Sequence, residues 1–147
     1  MSLRVFVYGT LKPGEINYQR YCTGHVTAAI PAYTQGRLYH LNLGYPALAV
    51  GNDRVYGYCL SFTDDHILVA LDQLEDYQSR RGPQDNEYNR IRQVVYDMQG
   101  DSLGLVWLYQ MEMARIQAYQ GDYLPGGQWS PNEFPLEHQT KVDSGQS

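Results

Sequence analysis

The chain has few cysteines: among 147 residues only Cys22 and Cys59, far apart and each set in an apolar or aromatic segment. Two such thiols cannot supply a disulfide framework. They read as reduced, buried small hydrophobes, which suits a cytoplasmic protein. Long apolar runs are missing too. No stretch approaches the ~20 residues of a membrane span, and "MSLRVFVYG" at residues 1–9 has no basic region followed by a signal-type apolar core. The expectation is a protein that is neither membrane-embedded nor exported. Basic charge is also scarce, with 11 Lys and Arg against 16 Asp and Glu and a formal net charge of -5. Binding nucleic acid or anionic lipid needs clustered Lys and Arg. The densest basic spots, Arg80-Arg81 and Arg90 with Arg92, read as solvated loop and strand faces, so no nucleic-acid partner is expected.

Several kinds of chemistry are excluded in the same way. His25, His40, His66 and His138 show no ligand spacing with one another or with the cysteines, so no metal site is expected. The glycine turn "GTLKPGE" fails the phosphate-loop pattern, because its lysine does not follow the second glycine and no Ser or Thr comes after it. No G-x-S-x-G elbow is present. An enzyme built on this chain is expected to use no metal, no cofactor and no nucleophile of its own.

What is present is a strand-rich domain. A hydrophobic content of 43% over this length buries one core and not two. The segments "LRVFVYGT", "GRLYHL", "VYGYCLSF", "NRIRQVVYDM" and "LGLVWLYQM" are rich in Val, Tyr and Phe and are bounded by Gly, Asn, Asp or Pro, as strands are. The last two form a hairpin across "QGDS". One helix is predicted, "TDDHILVALDQLEDY", with Thr63 or Asp64 as N-cap. The class is therefore α+β, and with many short strands and few helices to cover them a closed or nearly closed barrel is the economical way to remove sheet edges. Residues 1–128 are assigned to the domain. From Trp129 onward the chain loses periodicity and fills with Pro, Ser, Gln and charge, so 129–147 is read as a disordered tail.

The helix singles out one acid. At ~100° per residue, Ile67, Leu68, Ala70, Leu71 and Leu74 share a broad arc that includes Glu75, with Asp72 at its edge and Gln73 and Asp76 pointing away. Val69 is apolar on the outer side. One reading of Glu75 is a helix-end residue that reaches solvent or pairs with Arg80 or Arg90. The other is a buried carboxylate, whose affinity for a proton rises with burial toward the range useful at neutral pH.

These segments together resemble a known family. "VYGTL" at 7–11, Gly14 and Asn17, "GRLYHLNLGYPAL" at 36–48, "VYGYCLSF" at 55–62, "LDQLEDY" at 71–77 and "YNRIRQVV" at 88–95 are similar, in order and spacing, to the gamma-glutamylcyclotransferase-like family. The resemblance covers residues 3–111. It implies a small mixed β-barrel flanked by few helices, whose cavity is lined by the Tyr-Gly-Ser/Thr-Leu turn and a helix-borne acid, here Tyr8, Gly9, Thr10, Leu11 and Glu75. It also implies release of 5-oxoproline from a small-molecule gamma-glutamyl substrate, whose α-amine attacks its own γ-carbonyl with Glu75 shuttling the proton. Backbone N–H groups at the Gly9 turn would grip the substrate's α-carboxylate, although such a glycine serves equally well as a plain strand end. Tyr88 and Tyr109 are further lining candidates. The sequence departs from the family after the acid, where relatives often carry glycine and this chain reads "EDYQSRRGPQDNEYNR". The polar loop Gln78 to Glu87 is read as bordering the pocket mouth, as a specificity element or a plain connection. A monomer or homodimer is expected. The alternative to an enzyme is a small-molecule-binding domain that keeps the pocket without efficient turnover.

Overall fold

The computed structural model describes residues 3–131. Six strands are present: β1 (Leu3–Val7), β2 (Val26–His40), β3 (Pro46–Phe62), β4 (Asn89–Asp97), β5 (Ser102–Gln110) and β6 (Asp122–Tyr123). The helices are α1 (Ile67–Leu74) and α2 (Met113–Ala118), with a π-helical turn at Tyr18–Cys22 and a 3-10 turn at Pro83–Asp85. The strand order is β3-β1-β5-β4-β2-β6 and β2 also pairs β3, which closes a 5-strand barrel with β6 along one rim. The barrel is mixed because β1 and β5 run parallel while the other pairs are antiparallel. Closure removes the unpaired edges that short strands would otherwise expose. The α+β mixed-barrel reading therefore holds, as does the β4–β5 hairpin.

Two strands are much longer than their sequence signals. β2 runs on the N-terminal side of "GRLYHL" through Pro31, and β3 continues from Pro46 straight through Gly51-Asn52-Asp53. The turn residues do not end β3; they form a bulge, since Gly36 pairs Asp53 while Arg37 pairs Ala49. The bulge also reverses which residues face inward. Leu48 before it and Val55 and Cys59 after it fall in one apolar cluster, although residues of opposite parity point to opposite faces of a regular strand. Gly57 is where β1 crosses β3 most closely: a Cβ there would lie 2.0 Å from the Val7 carbonyl oxygen, so only glycine fits.

The core has two parts. One takes Phe6, Tyr8, Ala32, Leu38, Leu48, Val55, Cys59, Val95, Val106 and Leu108 from all the barrel strands and fills the barrel. The other uses the opposite face of β1, Val5 and Val7, and packs it under α1 with Leu71, Leu74, Leu11, Tyr88 and Tyr109. Trp129 belongs to the first part. It is 1% exposed, and its indole Nε1 donates to His40 Nδ1 at 3.0 Å. The tail reading is thus corrected at its start: a lone tryptophan carries no periodicity, yet its indole closes the barrel floor. Residues 132–147 lie outside the described residues. Both cysteines are free and buried, and burial pushes the Cys22 thiol up to about 12. Among the described residues no helix is long and apolar enough to cross a membrane.

Candidate active site

α1 is shorter than predicted. Its N-cap is His66, and Asp64 Oδ1 accepts the His66 N–H at 2.9 Å, so Asp64 steers the chain in from one turn earlier. The helix ends at Leu74, and Glu75 is its C-cap, with its N–H donating to Leu71 O at 2.9 Å. The inward arc is nevertheless the one read from the sequence. Leu71, Leu74 and Glu75 are buried, Gln73, Asp76 and Val69 are exposed, and Asp72 lies between.

The residue after the glutamate explains the departure from the family's glycine. Asp76 has φ 55, the left-handed region that favours glycine. Here an aspartate adopts it, and the Arg81 guanidinium holds it by donating to Asp76 O at 2.9 Å and Asp76 Oδ1 at 3.0 Å. The turn returns the chain at once: Tyr88 N–H donates to Glu75 O at 3.3 Å and Glu87 N–H to Asp76 O at 3.2 Å. The Gln78–Glu87 loop is thereby stitched across the helix end.

Glu75 is 0% exposed. The phenols of Tyr45, Tyr88 and Tyr109 all resist ionisation, chiefly through burial, and in each the negative charge of Glu75 adds to the effect. Their hydroxyls are anchored on different elements. Tyr109 donates to Asp72 Oδ1 at 2.8 Å, Tyr88 to Pro46 O at 2.7 Å and Tyr45 to Glu87 Oε2 at 3.1 Å. Two of the carboxylates that accept are steadied by arginine: Arg90 lies 3.2 Å from Asp72 Oδ2, and Arg115 lies 3.3 Å from Glu87 Oε1. Tyr119 adds a bond to Glu87 Oε1 at 2.7 Å. Burial raises the proton affinity of Asp72 while Tyr109 and Arg90 lower it, and burial wins.

The turn after β1 reaches the same region. Tyr8 donates to the Tyr109 carbonyl at 2.7 Å and accepts the Leu48 N–H at 3.2 Å, which ties the turn to β5 and β3. Gly9 and Leu11 are buried and Thr10 is 5% exposed. The loop geometry is set by Lys12 N–H donating to Gly9 O at 3.0 Å, Asn17 N–H to Thr10 O at 3.0 Å and Asn17 Nδ2 to Thr10 Oγ1 at 2.8 Å. Tyr109 thus links the turn, through its carbonyl, with Asp72 of α1, through its hydroxyl. Tyr45 was missed in the sequence; its signal was its place in "GYPAL", one residue from the Pro46 that anchors Tyr88.

Two open cavities flank this enclosure. One of 460 Å³ is lined by Tyr77, Arg81, Asn86, Asn89 and Arg90, so the Gln78–Glu87 loop does border a pocket. The other, of 320 Å³, lies beside Lys12 and Trp129. Glu75 lines neither of them.

A closed mixed barrel with few helices is the architecture of the gamma-glutamylcyclotransferase-like proteins. The family model for gamma-glutamyl cyclotransferase, AIG2-like, matches residues 5–131, and the chain belongs to that family. It is 29% identical over 144 residues to the gamma-L-glutamyl-butirosin B gamma-glutamyl cyclotransferase of Niallia circulans, covering 97% of this chain and 83% of that one. Among solved structures it is similar to an AIG2-like protein of Mus musculus, at TM-score 0.69 and 22% identity over 94% of each chain. It is also similar to an Arabidopsis thaliana protein, at TM-score 0.61 and 22% identity over 94% of this chain and 75% of that one. The family and the relative make this chain an enzyme of cyclotransferase activity.

Proposed function

We propose that the enzyme releases 5-oxoproline from gamma-glutamyl amines or peptides, with Glu75 as general acid and base. The observation that carries this reading is a carboxylate with no exposure, next in sequence to Leu74, which with Leu71 packs in one apolar cluster with Val7 and Leu11 on either side of the Gly9 turn. Burying a carboxylate costs stability unless hydrogen bonds or a countercharge offset it, and buried acids of this kind cluster at functional sites.

The chemistry needs no nucleophile from the protein. The substrate's α-amine, once deprotonated, attacks its own γ-carbonyl carbon; a C–N bond forms and the carbonyl electrons move to oxygen. As the carbonyl re-forms, the bond to the departing nitrogen breaks, leaving 5-oxoproline and a free amine. Glu75 takes one proton from the α-ammonium before attack and passes it to the departing nitrogen; the second proton, which the attacking nitrogen gives up as the ring amide forms, follows the same route, so the amine leaves as an ammonium and the carboxylate ends as it began. Ring closure is intramolecular and has effective molarities on the order of 10⁵–10⁸ M when the reacting atoms are well placed, so the protein's main task is to fold the substrate chain. The Gly9 turn holds the α-carboxylate, where the lack of a Cβ lets an anion approach the backbone.

Because Glu75, Tyr8 and Leu11 are all 0% exposed, admission of substrate requires an enclosing segment to part. Two bonds, Tyr45 to Glu87 and Tyr88 to Pro46, join the turn before β3 to the segment around the 78–87 loop.

Incubation with a panel of gamma-glutamyl amines and dipeptides, followed by measurement of 5-oxoproline, tests the reading. Product from at least one compound is expected. Tight binding of the same compounds with none converted would instead leave a binding domain that keeps the pocket without turnover.

A further inference from the structure

The turn that follows Glu75 combines a strained residue with a dense set of hydrogen bonds. Asp76 sits at φ 55, where a Cβ crowds the backbone and glycine does not. The peptide groups on both sides of it are bonded at both ends. Glu75 O accepts the Tyr88 N–H at 3.3 Å, and Asp76 N–H donates to Gln73 O at 3.3 Å. Asp76 O accepts the Glu87 N–H at 3.2 Å, and Tyr77 N–H donates to Asp72 O at 2.9 Å. A side chain adds to these main-chain bonds: Arg81 Nη2 donates to Asp76 O at 2.9 Å and to Asp76 Oδ1 at 3.0 Å. This nitrogen carries two hydrogens, one for each oxygen, so it fixes the carbonyl and the side chain of the strained residue together. Arg81 is brought there by its own loop. Its N–H donates to Gln78 O at 3.1 Å, and the Gln78 N–H donates to Oδ1 of the buried Asn86 at 3.0 Å.

As an ion pair alone this contact would contribute little, because the Asp76 side chain is 62% exposed and solvent screens it. The bond to the carbonyl is what sets it apart, since it ties Arg81 to the backbone of the turn. A change of φ at Asp76 rotates the Glu75–Asp76 peptide group against the rest of the turn, and with it the residue that carries the buried carboxylate. From this we infer that Arg81 is a positioning residue: it clamps the left-handed turn at Asp76 and thereby fixes the helix end from which the Glu75 side chain projects. The inference rests on the reading of Glu75 as the proton shuttle and adds the group that holds the shuttle in place. A shuttle acts on a nitrogen only within hydrogen-bond reach, so the tolerance for drift of its backbone is small. Glycine would adopt φ 55 without a clamp and would also leave it freely. Aspartate with Arg81 enforces the conformation that glycine only permits.

The test is a cycle of three variants: Arg81→Gln, Asp76→Gly and the two combined. For each, kcat and KM are measured on the gamma-glutamyl compound that wild type converts best, and hydrogen exchange of the Glu75, Glu87 and Tyr88 amides is followed by NMR. Melting temperature is the control on folding. Arg81→Gln is expected to lower kcat by about tenfold or more with KM little changed, since a displacement of about 1 Å costs up to about 10²-fold. It should also speed exchange of the three amides, whose bonds close the turn. Asp76→Gly alone should stay within about threefold of wild type, and added to Arg81→Gln it should bring kcat back to within about threefold and slow the exchange again. A charge or packing role for Arg81 would not be repaired by removing its partner. An unchanged kcat in Arg81→Gln, a loss that persists in the combined variant, or a rise in KM alone overturns the positioning role. If wild type converts no compound at all, the cyclotransferase reading falls and the clamp is decided by exchange: faster in Arg81→Gln and restored in the combined variant upholds it, and unchanged exchange overturns it.

Discussion

The barrel interior and the enclosure under α1 are both closed to solvent and are built from similar amounts of aromatic and aliphatic side chain, yet they are organised differently. Inside the barrel the polar atoms are few and serve packing: the Tyr8 hydroxyl bridges Leu48 N–H and Tyr109 O, and the Trp129 indole reaches His40. Under α1, by contrast, carboxylates meet phenols and guanidiniums in a network that runs from Arg90 through Asp72 and Tyr109 to the surroundings of Glu75, and from Arg115 through Glu87 to Tyr45. A set of buried ionisable groups contributes less to stability than apolar packing of the same volume. On the proposed function, stability is concentrated in the barrel and chemistry in the enclosure. Substitutions in the first should move the melting temperature and those in the second should move turnover.

The largest effect on stability is expected from the barrel. Trp129→Ala removes a side chain that is 1% exposed and leaves the His40 Nδ1 without its indole donor. A loss of ~3–5 kcal/mol is expected, which lowers the melting temperature of a domain this size by roughly 10 °C or more. At a temperature where the variant is folded, 5-oxoproline formation should stay within a few-fold of wild type. A melting temperature within two or three degrees of wild type would show that the chain beyond the domain boundary read from the sequence adds nothing to the fold.

That residue also marks the limit of what the sequence makes legible. Patterns were enough where they were local: the arc that turns Glu75 inward, the strand ending at Tyr8-Gly9 and the β4–β5 hairpin all come from spacing alone. They failed where a feature depends on a distant partner. Gly51-Asn52-Asp53 reads as a turn, but the pairing of β3 with β2 on either side converts it to a bulge. Trp129 has no apolar neighbours in sequence, and its place is defined by His40 across 89 positions. Tyrosine is the hardest case. Among 14 of them the sequence offers no means of telling which hydroxyls meet a carboxylate and which meet solvent, so Tyr45 was overlooked and the Asp72 bond to Tyr109 was not foreseen.

Gly9→Val is expected to act on the other side of the comparison. A branched side chain at the buried turn fills the space where a carboxylate must approach the backbone. Calorimetric titration with 5-oxoproline should show binding abolished, with a smaller stability cost than Trp129→Ala. Undiminished affinity would remove the turn from the site.

The smallest effect concerns Cys22, on the enclosure side but outside its polar network. Burial raises its thiol from 9.0 to about 12. The folded state therefore holds this proton more tightly than the unfolded chain does. The resulting contribution to stability is complete below the unfolded value and is lost as pH rises from there through the folded one. At pH 8 the native protein should react negligibly with iodoacetamide at Cys22, while both cysteines react once the protein is unfolded in denaturant. Rapid native alkylation at Cys22, mapped by mass spectrometry, would show that the apolar layer under α1 opens far more often than the barrel does.

The division between a stabilising barrel and a chemical enclosure depends most directly on Glu75. The decisive measurement is the rate of 5-oxoproline formation by Glu75→Gln, taken beside its melting temperature and its affinity for 5-oxoproline. Glutamine keeps the shape of the side chain and can still accept a hydrogen bond, but it cannot take the ammonium proton. The expected result is a turnover loss of about 10²–10⁴-fold with folding close to wild type and binding retained, while Asp72→Asn and Asp76→Asn lose much less. If Glu75→Gln keeps most of the wild-type rate, or if Asp72→Asn proves the more damaging change, Glu75 is not the proton shuttle and the enclosure is not where the chemistry takes place.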